Sequence, residues 1–116
     1  MECVAISFEL SKILKEKGFD EYTETMFTEY GDVCNRESIL GIRVGIYPRL
    51  SQSLLQKWLR EVHKIIVIAD YDREMNNYIY TVDSESAYKF DFSHYNTYEE
   101  ALEEGLKQGL NLITNN

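Results

Sequence analysis

The run "IIVIA" at residues 65–69 constrains the fold more than any other part of the sequence. Because successive side chains of a strand point to opposite faces of a sheet, a strand that is apolar at every position predicts an interior strand covered on both faces or close to it. The following run "NYIYTV" places Tyr78, Tyr80 and Val82 on one face, and a polar connection joins the two runs. Two antiparallel neighbouring strands are the simplest arrangement.

Three helices are indicated by N-cap residues followed by apolar residues at helical spacing. Ser7 precedes the first helix, which is expected to run to about Lys17. Ser51 or Ser53 precedes the second helix, and Thr97 begins the third helix with a capping box. Each of these helices has one apolar face, so all three are expected to pack against the sheet.

The third helix carries two glycines on its inner face, Gly105 and Gly109. A glycine inside a helix costs about 1 kcal/mol relative to alanine. A backbone that comes very close to a neighbouring strand or helix would explain both residues, and simple sequence drift is the alternative.

Two further strands are predicted between the first two helices. Residues 23–30 alternate loosely and are rich in threonine and aromatic residues, and residues 40–46 alternate until Pro48 stops the strand. The sequence therefore predicts one α+β domain over residues 1–116. Its expected order is α-β-β-α-β-β-α, with a mainly antiparallel sheet of three to five strands and three helices packed against it.

Length and charge exclude several classes of protein. A chain of 116 residues with a net charge of −8 fits one domain and disfavours non-specific binding to nucleic acid or to an anionic membrane. No window approaches the roughly 20 apolar residues of a membrane span, and the N-terminus lacks the features of a signal peptide. We therefore expect a cytoplasmic protein with no membrane partner.

Asp70, Asp72 and Glu74 alternate directly after the apolar run and raise the question of a calcium loop. An EF-hand loop beginning at Asp70 would need a glycine at its sixth position and a glutamate at its twelfth. Met75 and Thr81 stand at these positions. The pattern therefore favours a charged hairpin connection over a metal loop.

No other group of residues predicts a metal site or a catalytic centre. The cysteines and histidines have no zinc-type spacing: Cys3, Cys34, His63 and His94. The glutamates of the third helix are expected to form a solvated face: Glu99, Glu100, Glu103 and Glu104. We predict no catalytic residue, metal or cofactor, although an active site assembled only in three dimensions stays an alternative.

A positively charged segment is the main indication of a binding surface. Between Arg36 and Lys64 there are six lysines and arginines against two glutamates, a balance of +4. On the second helix Lys57, Arg60 and Lys64 fall within about 60° of one another, nearly opposite the apolar face; we name them the basic stripe. The candidate partner-binding residues are Arg43, Arg49, Lys57, Arg60 and Lys64. An ordinary polar helix face is the alternative.

The tyrosines admit a second interpretation. Tyr71, Tyr78 and Tyr80 could form a platform on which nucleic-acid bases stack. The neighbouring carboxylates would repel a phosphate backbone, so packing in the core or between strands is favoured.

Three blocks of the sequence resemble a known family: "SFELSKILKEKGFDE", "SQSLLQKWLREVH" and "TYEEALEEGLKQGLNLI". They are similar to small uncharacterised proteins encoded in Bacteroides-type genomes and their phages or mobile elements. Arg49, Leu50 and Ser51 stand where the family has Ala-Pro-Thr, so the cap is kept and the proline is lost. The resemblance implies a cytoplasmic mobile-element protein and carries over no site, because the family has no assigned activity.

These observations lead to one main hypothesis and two alternatives. The main hypothesis is a non-enzymatic protein-binding module of a phage or mobile element, with a host or phage protein as its partner. The first alternative is a nucleic-acid-associated regulator that uses the basic stripe, which the net charge disfavours. The second is an enzyme whose site is not visible in the sequence.

Overall fold

The computed structural model describes residues 4–35 and 46–113. Within these residues the chain forms three helices: α1 (Phe8–Glu16), α2 (Gln52–Val62) and α3 (Tyr98–Asn111). It also forms six strands: β1 (Thr25–Thr28), β2 (Val33–Asn35), β3 (Ile46–Arg49), β4 (Ile66–Asp72), β5 (Asn77–Asp83) and β6 (Tyr88–Tyr95).

The strands are divided between two antiparallel sheets. In the described residues the first sheet has the order β2-β1-β3 and the second has the order β4-β5-β6. The predicted α+β class, the three helices and the order of the predicted elements are confirmed. Strands β2 and β6 were not predicted. Each of them pairs in antiparallel orientation with the strand that precedes it in the chain.

Helix α3 covers one face of the second sheet at very short range. A Cβ atom added at Gly105 would lie 2.9 Å from Val67 Cγ1, and one added at Gly109 would lie 3.0 Å from Val67 Cγ2. The close packing predicted for the two glycines is confirmed. Helix α2 packs beside α3 against β4, and its Gln56 Nε2 donates a 2.6 Å hydrogen bond to the carbonyl oxygen of Val67.

The three helices begin at the predicted residues. The side-chain oxygens of Ser7, Ser51 and Thr97 each accept a 3.1 Å hydrogen bond from a backbone N–H of the first helical turn. Such caps satisfy donors that the helix itself leaves unpaired. None of the helices in the described ranges is long and apolar enough to cross a bilayer.

The first sheet packs against α1. The Ser11 hydroxyl donates a hydrogen bond to the carbonyl oxygen of Pro48, and the N–H of Ile6 donates one of 2.9 Å to the carbonyl oxygen of Leu50. The prediction that Pro48 stops the strand was wrong, because β3 continues to Arg49. Among the described strands β3 pairs only with β1, and a strand at the edge of a sheet tolerates a residue without an N–H. The predicted strand residues 40–45 lie outside the described residues.

Candidate functional site

Strand β4 is buried on one face only. Val67 and Ala69 are buried beneath α3, whereas Ile66 and Ile68 are 41% and 49% exposed on the opposite face. The prediction that the run at residues 65–69 is covered on both faces was therefore wrong. The described helices that contact the second sheet cover the Val67 side, and no described element covers Ile66 and Ile68.

The register of the second sheet shows which residues share this exposed face. Ile66 is paired with Asp83, which is paired in turn with Tyr88 on β6. Directly paired residues of antiparallel strands point to the same face. We name this surface the outer face, and its described members are Ile66, Ile68, Asp70, Asp72, Asn77, Ile79, Thr81, Asp83 and Tyr88.

The outer face carries isoleucines on β4 and β5, with Asp83 in the row at one end and Asp70 towards the hairpin at the other end. Tyr88 is 65% exposed, and Ile79 and Thr81 are half-buried. Asp83 is exposed between Ile66 and Tyr88 in one row across three strands. Within residues 4–35 and 46–113 its carboxylate makes neither a hydrogen bond nor an ion pair.

The β4–β5 connection is held by its own side chains. The Asp70 and Asp72 carboxylates accept hydrogen bonds of 2.8 and 3.1 Å from the backbone N–H groups of Tyr71 and Glu74. Asn76 adopts a left-handed backbone with a φ of 56°. The predicted charged hairpin is therefore confirmed. In the described part of the chain no three metal-ligating side chains lie close enough together to hold a metal ion.

A histidine on β6 reaches back to this hairpin. His94 Nε2 lies 3.1 Å from Asp72 Oδ2. The hydrogen bond from His94 is the main cause that holds the pKa of Asp72 below its ordinary value, and the N–H of Glu74 acts in the same direction. The other described histidine, His63, packs against the Trp58 ring with 4.6 Å between ring centroids, and burial lowers its pKa.

The predicted partner-binding residues do not all lie together. Lys57, Arg60 and Lys64 are exposed along α2 and just beyond its C-terminal end. Arg49 is half-buried in the first sheet, where its Nη1 donates a 3.1 Å hydrogen bond to Thr25 and its guanidinium lies 5.9 Å from the Phe27 ring centroid. Arg43 lies outside the described residues.

The apolar face of α2 also differs from the prediction at its end. Leu55, Trp58 and Leu59 are buried as expected, but Val62 is 57% exposed. Val62 is the last residue of the helix, and the chain leaves for β4 through Lys64, whose backbone is left-handed with a φ of 57°.

A groove of about 610 Å³ lies between the N-terminal segment, α1 and α3. Its charged lining residues are Glu9, Glu99, Glu100, Glu103, Glu104 and Lys107. The Glu103 carboxylate accepts hydrogen bonds of 3.1 Å from the N–H of Ser7 and 3.2 Å from Gln52, so it connects three parts of the fold and is not simply solvated as predicted. Glu9 pairs with Lys107 at 3.1 Å and raises the pKa of that lysine.

The tyrosines pack against one another. Tyr71 and Tyr78 are directly paired across β4 and β5, with ring centroids 5.1 Å apart in an edge-to-face arrangement. Tyr80 is buried beneath α3 with its ring 6.1 Å from that of Tyr95. The prediction of cross-strand and core packing is confirmed for these residues.

The fold and the outer face define an α+β domain of two small antiparallel sheets, one of which leaves an apolar face uncovered by the described residues. Comparisons with protein-family models, curated proteins and solved structures found no match. Family membership inferred from the three sequence blocks stays a prediction. The outer face was not predicted, although the two-sided apolar run at residues 65–69 was its signal.

Proposed function

We propose that this chain is a non-enzymatic protein-binding module and that it binds its partner through the outer face. The observation that supports this most strongly is the exposure of Ile66 and Ile68 in a run with the composition of an interior strand. Contiguous apolar patches that stay exposed on folded domains commonly mark interaction sites. Burying the exposed part of each isoleucine would contribute about 1 kcal/mol to binding.

The partner and the setting follow the sequence-based hypothesis. We propose a host or phage protein as the partner and the cytoplasm as the place of action. The resemblance of the three sequence blocks supports a phage or mobile-element origin.

The test is affinity capture of the tagged full chain from a lysate of its host, with and without nuclease, followed by mass spectrometry. The wild type is compared with Ile68→Lys. Val33→Lys is the matched control, because Val33 is a β-branched residue 55% exposed on the other sheet. We expect a protein that survives nuclease, is lost with Ile68→Lys and is retained with Val33→Lys.

Two results would contradict the proposal. One is capture of the same protein by wild type and Ile68→Lys in equal amounts. The other is turnover of a substrate in a screen of general hydrolase and nucleotide substrates, with that activity abolished by a point change.

A nucleic-acid-associated regulator is the second candidate, because the basic stripe is accessible to solvent along α2. In the described residues no carboxylate forms an ion pair with Lys57, Arg60 or Lys64. Replacing all three with glutamine should weaken binding to a nucleic acid and flatten its dependence on salt, by a slope of up to about 0.9 for each phosphate that is no longer neutralised. Glutamine at the exposed cations Lys12, Arg73 and Lys89 removes the same charge elsewhere. Equal effects of the two triple variants would exclude a specific role for the basic stripe.

A further inference from the structure

We infer that the occupant of the outer face is an amphipathic helix of the partner whose lysine or arginine reaches Asp83. This inference rests on the proposed function and names the chemistry of the partner. Three observations support it: a helix covers the opposite face of the same sheet, the outer face carries exposed carboxylates, and Tyr88 lies beside one of them.

The opposite face of the same sheet shows what kind of element fits. It is covered by α3, a helix of 14 residues that runs over Val67 and Tyr80. A helix of this length spans about 21 Å, and strands of seven residues such as β4 and β5 span about 23 Å. An amphipathic helix on the outer face would add a third layer, as in folds whose sheets have helices on both faces.

The charge of the occupant follows from Asp83. Covering the outer face removes water from this carboxylate, which sits between Ile66 and Tyr88 and has no partner among the described residues. A carboxylate that loses its water is costly unless a cation or hydrogen-bond donor replaces it. A lysine or arginine at this place would pair with Asp83 and lie against the Tyr88 ring, where the ring also attracts a cation.

A second copy of this chain fits the outer face less well. Two outer faces brought together would bring the exposed carboxylates Asp70 and Asp83 of each copy towards those of the other. Like charges facing each other across an interface oppose association. Sedimentation of the purified chain should therefore show a monomer.

The experiment uses two synthetic peptides of 14 residues, the length of α3. Both are amphipathic helices with the same leucine positions, and the polar positions are lysine in one and glutamate in the other. Each is titrated into the isotope-labelled full chain, and amide chemical shifts map the binding surface. Affinity is measured by fluorescence anisotropy.

We expect the lysine peptide to shift the amides of β4 and β5 around Ile68 and Asp83, and the glutamate peptide to leave them unchanged. Asp83→Lys should weaken binding roughly tenfold or more, because it removes one partner of a desolvated pair and adds a like charge. Glu85→Lys makes the same charge change at an exposed residue in the β5–β6 connection and should have an effect of less than about threefold. Unchanged unfolding midpoints of the variants confirm that they fold.

Several outcomes would overturn the inference. Shifts confined to Ser7, Glu99 and Glu103 would place the basic peptide in the groove between the N-terminal segment, α1 and α3. Equal losses with Asp83→Lys and Glu85→Lys would show attraction by net charge alone, and a dimer broken by Ile68→Lys would assign the outer face to a second copy. If neither peptide binds while Ile68→Lys still loses the captured protein, the helical basic occupant is refuted and the protein-binding function stands.

Discussion

Gly105→Ala offers a sharp test of how closely α3 packs against the second sheet. In an exposed helix this change would stabilise the chain by about 1 kcal/mol, because glycine is the poorer helix former. Here the added Cβ would lie 2.9 Å from Val67 Cγ1 and 3.1 Å from Tyr80 Cβ. Tyr80 Cβ is attached directly to the strand backbone, so a side-chain rotation cannot move it away.

The expected sign follows from comparing the two effects. Overpacking a close-packed core costs roughly 1–3 kcal/mol, and a clash with an atom fixed to the backbone belongs near the upper end. After subtraction of the helix-propensity gain, Gly105→Ala should lower the free energy of unfolding by about 2 kcal/mol. In a domain of this size, a loss of about 2 kcal/mol lowers Tm by roughly 6–10 °C.

The assay is urea unfolding followed by circular dichroism and by the fluorescence of Trp58. Gly109→Ala is the internal comparison, because its added Cβ would first meet the side-chain ends of Val67, Leu59 and Ile65 at 3.0 to 3.4 Å. These methyl groups can move by a few tenths of an ångström, so the net change at Gly109 should lie within about 1 kcal/mol of zero.

A double variant identifies the colliding atoms. Combining Gly105→Ala with Val67→Ala should cost less than the sum of the two single changes, because the second change removes the Val67 methyl that the new Cβ meets. If Gly105→Ala instead raises the stability by about 1 kcal/mol, the close contact with the second sheet costs nothing and helix propensity alone decides the outcome.

Three further predictions concern the caps, the core and the β4–β5 hairpin. Ser51→Ala should lower the free energy of unfolding by about 1 kcal/mol while Ser51→Thr retains most of it, measured by urea unfolding; equal losses would show that the hydroxyl does not cap α2. Leu59→Ala should lower the free energy of unfolding by about 2–5 kcal/mol, because Leu59 is fully buried. Leu54 lies on the same helix but is 56% exposed, so Leu54→Ala should lower it by less than about 0.5 kcal/mol, and thermal unfolding of both variants checks the difference. Asp72→Asn should be less stable than the wild type above the ordinary aspartate pKa of 3.8, and this difference should vanish as the pH falls through the lowered pKa of Asp72 in the folded state. Urea unfolding midpoints measured across these pH values check the prediction, and a stability difference that does not change with pH would contradict it.

The helix caps depend on neighbouring residues and were predicted correctly. The caps at Ser7, Ser51 and Thr97 bond to N–H groups three residues away, so the signal and the structure lie in the same short segment. The glycines of α3 are a less local success, because their cost within a helix indicates a close neighbour without naming it. The structure identifies that neighbour as Val67.

The missed features are two strands and the packing of distant segments. Strand β2 has only three residues, too few for a periodic pattern, while β6 reads "YKFDFSHY" and did carry an alternating signal. The apolar run at residues 65–69 predicts that both faces of β4 are covered, but it does not say whether the cover comes from the same chain. That choice depends on where α2 and α3 pack, which no local pattern determines.

The close approach of α3 to Val67 also bears on how the chain is made. The second sheet is synthesised before the helix that covers it, so Val67 and Tyr80 stay exposed to water until Tyr98–Asn111 has left the ribosome. At ordinary rates of synthesis, the ribosome takes roughly 2–9 s to make the stretch from Val67 to Asn111. During that interval α2 alone can cover part of the inner face, and a chain that stopped before α3 would have an apolar surface on each side of the sheet. Such a fragment should aggregate instead of forming a smaller domain, so the second sheet depends on α3 to stay dispersed.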